Sequence, residues 1–85
     1  MSIKEYREQI DLIDKEMIRL IEHRIKIVSN IGQLKKNENQ PIKQEDREMM
    51  ILESLYAYSS LERDHIKKLY NIIFNISCEC QKKWT

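Results

Sequence analysis

The chain has one glycine and one proline among 85 residues, so it holds almost no turn vocabulary. It also lacks an excess of charge: fifteen Lys and Arg against fourteen Asp and Glu give a formal +1. The broad positive field of a nucleic-acid binder or a polybasic membrane anchor is therefore missing, and neither partner is expected. The opening residues, MSIKEYREQ, contain no apolar core of a signal peptide. The longest uncharged run, Leu69 to Cys78, falls far short of the ~20 residues needed to cross a bilayer. These absences lead us to expect a soluble, cytoplasmic protein. Cys78 and Cys80 sit two apart, where helical side chains diverge, so no disulfide is predicted. A lone CxC with no further Cys or His cluster is also a poor metal signal, and we expect both as small apolar helix residues.

What is present suits helix. The chain is 34% charged and 41% hydrophobic and rich in Glu, Lys, Ile and Leu, which predicts an all-α chain forming one domain over residues 1–85. A hydrophobic core of that size is marginal alone, so some staple is expected.

Apolar residues recur at Ile3, Tyr6, Ile10, Ile13, Met17, Leu20, Ile27, Ile31 and Leu34, in threes and fours, with one gap at Arg24. This predicts a first helix of about ten turns, ending within KNENQP (36–41). A second helix is expected from about 44–46 to Tyr58, with Arg47, Ile51, Leu52, Leu55 and Tyr58 on one side. Ser59 and Glu62 have capping-box spacing and predict a third helix from about Ser60 to Lys83.

A helix of some 35 residues is roughly 50 Å long, whereas a compact 85-residue globule has a diameter near 30 Å. Its apolar stripe runs to both ends, beyond the cover of its own chain. The simplest remedy is a second copy, with the long helices packed together in a homodimer.

Two cations interrupt that stripe. At ~100° per residue, Arg24 and Lys35 lie within about 20° of each other, with Arg7 at the edge of the same stripe. Burying such groups unpaired costs several kcal/mol, so each requires an anion, either an acidic side chain or a ligand. Arg7 is roughly 25 Å from Arg24 along the helix, but an antiparallel partner could return it to the other subunit's site. Arg47 and Glu48 project from the start of helix two toward its apolar side, which is also what an ordinary helix-start charge pair looks like. Ser77 and Gln81 lie on the flank of a third-helix stripe made by Ile66, Ile73, Cys80 and Trp84; each alone reads more readily as a solvated or locally bonded polar residue.

The ordered set YREQIDLID, LIEHR, IGQLK, PIKQEDRE and IIFNISCECQ resembles the AroQ, all-helical class of chorismate mutase over almost the whole chain. That resemblance implies an intertwined antiparallel homodimer of three-helix protomers. It also implies the Claisen rearrangement of chorismate to prephenate, on the way to phenylalanine and tyrosine, without nucleophile, general base, metal or cofactor. By position, Arg24 and the neighbouring subunit's Arg7 would pair with the substrate carboxylates, and Lys35 and Gln81 would donate to the ether oxygen. Glu48 would accept from the ring hydroxyl, Arg47 and Ser77 would complete the polar lining, and Ile31, Ile51, Leu52 and Ile73 would form apolar walls. Gln44 stands where the family commonly has Asp, so its hydroxyl contact is weakened or passes to Glu48. His23 receives no role. The nearest rival reading is isochorismate-pyruvate lyase, with much the same pocket; another is a non-catalytic helical dimerisation module. A third, a domain cut from a fused enzyme, is less expected than a free-standing protein, since the chain begins with Met and ends soon after helix three.

Overall fold

The computed structural model describes residues 1–82, which form three helices: α1 (Ile3–Asn37), α2 (Glu45–Tyr58) and α3 (Arg63–Lys82). Ser2 caps the first, its Oγ accepting from the Glu5 amide at 3.2 Å. At the other end Asn39 takes the left-handed conformation, φ 58°. This lets the Gln40 and Asn39 amides turn back to the carbonyls of Lys35 (2.8 Å) and Lys36 (3.3 Å). That pair of bonds is a Schellman stop, with asparagine in the place more often held by glycine.

The expected bounds of α1 and α2 hold within a residue or two, but α3 begins later than its capping signal implied. Ser59 closes α2 instead, its amide bonded to the Leu55 carbonyl, and its Oγ accepts from the Leu61 amide at 3.0 Å. The first turn of α3 hangs from the Glu62 carbonyl, which accepts from His65 and Ile66. Four residues, 59–62, connect the two helices, and with Ser59 Oγ bonded to the Leu61 amide no Ser59–Glu62 box forms. The expected extension to Lys83 and the place of Trp84 lie outside the described residues.

α3 packs against both other helices. Leu52, Ile66 and Phe74 form the core cluster, with Ile51, Leu55, Tyr56 and Tyr70 around it. The Phe74 ring meets Tyr70 edge-on at 5.7 Å, and Arg63 lies over the Tyr56 ring at 5.1 Å. Tyr58, expected on the inner side of α2, is 89% exposed instead, because it points about 90° around the helix from the packed face of Ile51, Leu52, Leu55 and Tyr56.

α1 meets α3 through a face that periodicity alone did not single out. Ile21, Ile25, Val28 and Gly32 turn toward α3, about 80° around the helix from the stripe centred on Ile13, Met17 and Ile31. Leu20, Ile27, Ile31 and Leu34 stay exposed, as do all of the first twenty residues, including Ile3, Tyr6, Ile10, Ile13 and Met17. The molecule extends 54 × 24 × 16 Å with a radius of gyration of 15.9 Å, against about 12 Å for a compact chain of this length. It exposes 7207 Å², where a compact monomer of 10.4 kDa exposes about 5,400 Å². No described helix is long and apolar enough to cross a membrane.

Candidate functional site

The single glycine determines how closely α1 and α3 approach. A Cβ at Gly32 would lie 2.9 Å from both Cα and Cβ of Gln81, so the helix backbones touch where only glycine fits. One turn further along α1, this contact places Lys35 beside Gln81, and the Lys35 ammonium donates to Gln81 Oε1 at 3.0 Å. An ammonium accepts nothing, so the amide must turn its oxygen to Lys35, leaving the NH₂ as the donor end. Lys35 also donates to the Ile42 carbonyl at 2.8 Å, which ties the α1–α2 connection to the same point.

Three turns nearer the N-terminus of α1, Arg24 Nη1 donates to Ser77 Oγ at 2.6 Å, and the hydroxyl passes its own proton to the Ile73 carbonyl at 2.8 Å. Ser77 and Gln81 are both buried. They sit in the middle of the buried face of α3 rather than on its flank, because that face centres on Ile66, Tyr70, Phe74 and Ser77. Arg24 and Lys35 are half-buried, and among the described residues no carboxylate lies within 4.0 Å of either. Their partners are neutral oxygens, which satisfy geometry without neutralising charge.

Between these groups is a cavity of about 320 Å³, within the range usual for small-ligand clefts. Arg24, Lys35, Arg47, Glu48, Gln44, Ser77 and Gln81 all line it, with apolar surface from Ile27, Val28, Ile31, Ile42, Ile51, Phe74 and Cys78. Seven of the eight polar candidates thus converge from three helices. The eighth, Arg7, lies on the exposed outer half of α1 and does not reach the cavity within one chain. Two expected wall residues are elsewhere: Leu52 belongs to the core cluster, and Ile73 is absent from the lining. Phe74 and Val28 take their places because α3 is rotated to bury Ser77. Phe74 and Cys78 carried no signal of their own beyond lying next to Ser77 in the helical net.

Gln44 is the N-cap of α2 but makes no side-chain capping bond, so its amide is not spent on the helix. Glu48 is bonded through both oxygens to Lys43 Nζ, at 3.1 and 3.2 Å. The bond to Glu48 is the main cause raising the Lys43 pKa above its ordinary value. Sequence reading missed Lys43, since a pair five residues apart across a helix start follows no helical spacing. Among the described residues no group of three or more His, Cys, Asp or Glu is arranged to hold a metal. The charged groups lining the cleft are three cations, Arg24, Lys35 and Arg47, and one acid, Glu48.

The family profile described as chorismate mutase type II matches residues 6–82. Similar proteins include the bifunctional chorismate mutase/prephenate dehydratase of Buchnera aphidicola subsp. Baizongia pistaciae, 33% identical over 82 residues, covering 93% of this chain and 22% of that protein. The protein of the same description from the Schizaphis graminum subspecies is 36% identical over 81 residues, covering 92% and 21%. That from Aquifex aeolicus is 42% identical over 54 residues, covering 64% and 15%. The chain spans about a fifth of the length of the first two of these relatives.

Proposed function

The chain belongs to the type II chorismate mutase family, and from that premise we propose that it isomerises chorismate to prephenate in the cavity between α1, α2 and α3. The observation that carries this reading is the pair of half-buried cations, Arg24 and Lys35, which meet only neutral oxygens among the described residues. A doubly charged substrate supplies the anions that the fold withholds.

The rearrangement is intramolecular and pericyclic, so the residues act by holding and by charge. Arg24 takes one carboxylate in bidentate fashion, and apolar surface from Ile31, Ile51 and Phe74 confines the ring, favouring the compact diaxial shape. As the ether bond breaks, negative charge grows on its oxygen. Lys35 and the Gln81 NH₂, already held together, donate to that atom, and their bonds strengthen in the transition state. Glu48 accepts from the ring hydroxyl with lone pairs that Lys43 leaves open, and Gln44 offers an uncharged amide nearby. Arg47 and Ser77 complete the polar lining.

The second carboxylate falls to Arg7 of a partner copy. The uncovered outer half of α1 and the excess of about 1,800 Å² of surface over a compact monomer both fit an antiparallel homodimer, in which a long interface covers the stripe. Such a pairing joins Arg7 to the partner's cavity. The deciding assay is incubation with chorismate and, separately, isochorismate. Prephenate from the first is expected. Salicylate and pyruvate from the second, with no prephenate, would assign a lyase; inactivity on both, with no binding of a dicarboxylate transition-state analogue, would leave a dimerisation module.

A further inference from the structure

The cavity contains a hazard of its own making. Its lining holds three cations, Arg24, Lys35 and Arg47, and one carboxylate, Glu48. A carboxylate in such a cleft gains most by resting against one of those cations. If it did so, the site would neutralise itself and a substrate carboxylate would have to displace it.

Glu48 instead rests against Lys43, with both oxygens within 3.2 Å of the ammonium. Lys43 does not line the cavity. Its side chain is 54% exposed while that of Glu48 is 21% exposed, so the pair spans the rim, with the acid inward and the base outward. The neighbouring residue is held too: the Ile42 carbonyl accepts from Lys35. Lys35 thus anchors the connecting segment, and the next residue in that segment draws the acid away from Lys35 and its fellow cations.

We propose that Lys43 is a positioning residue that holds Glu48 at the cavity rim, keeping Arg24, Lys35 and Arg47 unpaired for the substrate and aiming the open lone pairs of Glu48 at the ring hydroxyl. This rests on the mutase reading above. An ion pair as exposed as this one adds little to folding stability, so its effect on the site is separable from any effect on the fold. The raised pKa of Lys43 accords with a bond kept throughout the neutral range.

The test is a double-mutant cycle on the full chain: Lys43→Gln, Glu48→Gln, both together, and Lys43→Arg, each assayed with chorismate at fixed ionic strength. Lys43→Gln frees Glu48 to compete with substrate, so KM should rise about three- to fivefold with a smaller change in kcat. Lys43→Arg should restore most of the loss. In the Glu48→Gln background, where no charge remains to be held, Lys43→Gln should change nothing further. An unchanged KM in Lys43→Gln overturns the proposal. An equal rise in both backgrounds also overturns it, since Lys43 would then act directly on the incoming dianion. If the unsubstituted chain makes no prephenate, the mutase reading itself fails; if it does and KM stays put, only Lys43 has been misread.

Discussion

Lys35 Nζ stands 3.0 Å from Gln81 Oε1, although 46 residues separate them in the chain. The bond forms one turn beyond the glycine that lets the two helices touch, and it presents an ammonium and an amide to the same side of the cavity. Replacing the amide by a carboxylate should expose its role. In Gln81→Glu the new acid pairs with Lys35 and stays ionised at neutral pH, so it cannot donate to an ether oxygen. We expect turnover at pH 7.5 to fall by about 10²-fold or more and to recover partly as the pH is lowered. Equal loss at pH 5 and pH 7.5 would argue against Gln81 as a donor.

Arg24→Ala separates binding from folding. It removes a half-buried charge whose hydrogen-bond partner among the described residues is the Ser77 hydroxyl, and Ser77 keeps its bond to the Ile73 carbonyl. The melting temperature should hold or rise, while kcat/KM drops by about 10²-fold or more. A large fall in the melting temperature would mark Arg24 as structural.

Gly32→Ala tests the close crossing. Alanine favours helix over glycine by about 1 kcal/mol, but its Cβ would press on Gln81 backbone and side chain at 2.9 Å, and overpacking costs about 1–3 kcal/mol. We expect a net change in stability of about 0–2 kcal/mol downward, with a disproportionate loss of kcat, because α3 must move Gln81 away from Lys35. Thermal melts and steady-state kinetics on one preparation report both. A firmer fold with intact kcat would show that the crossing has slack.

Sharing of sites between copies has its own signature. Arg7→Ala and Arg24→Ala should each be inactive alone. Denatured together and refolded, half of the dimers carry one variant of each kind, and in those one of the two sites has both arginines, giving about a quarter of the unsubstituted activity. No recovery on mixing would place Arg7 outside the partner's site. Sedimentation of the unsubstituted chain should give twice the 10.4 kDa protomer mass.

The pH response follows from the groups present. Gln81 is a neutral amide with no proton to lose in this range. Lys43, whose pKa the bond to Glu48 raises above its ordinary value, stays charged across the neutral range and loses its charge only in strong alkali. Chorismate turnover should therefore be level from about pH 6 to about pH 9. A steep decline between pH 6 and 8 would implicate a titrating group that the present assignment omits.

Much of this was legible in one dimension because helices repeat. Arg24 and Lys35 fell on one line of α1 by counting, and their misfit within an apolar stripe marked them before any contact was known. Ser77 and Gln81 were harder. Their burial depends on which way α3 is rotated, and that is set by the packing of Ile66 and Phe74 against α2 and by the absence of a Cβ at Gly32. Lys43 was invisible, since its partner is chosen by the path of a non-helical connection.

Helix type, length and spacing are properties of the local chain, so composition and periodicity were enough to predict three helices and a first one too long for its own core. Family membership rode on the same ordered residues. Which face of α1 meets α3, whether the cations meet acids or neutral oxygens, and where Glu48 rests were decided only when the three helices packed. Those outcomes turn on distances of a few ångströms between residues far apart in sequence, and no local preference encodes them.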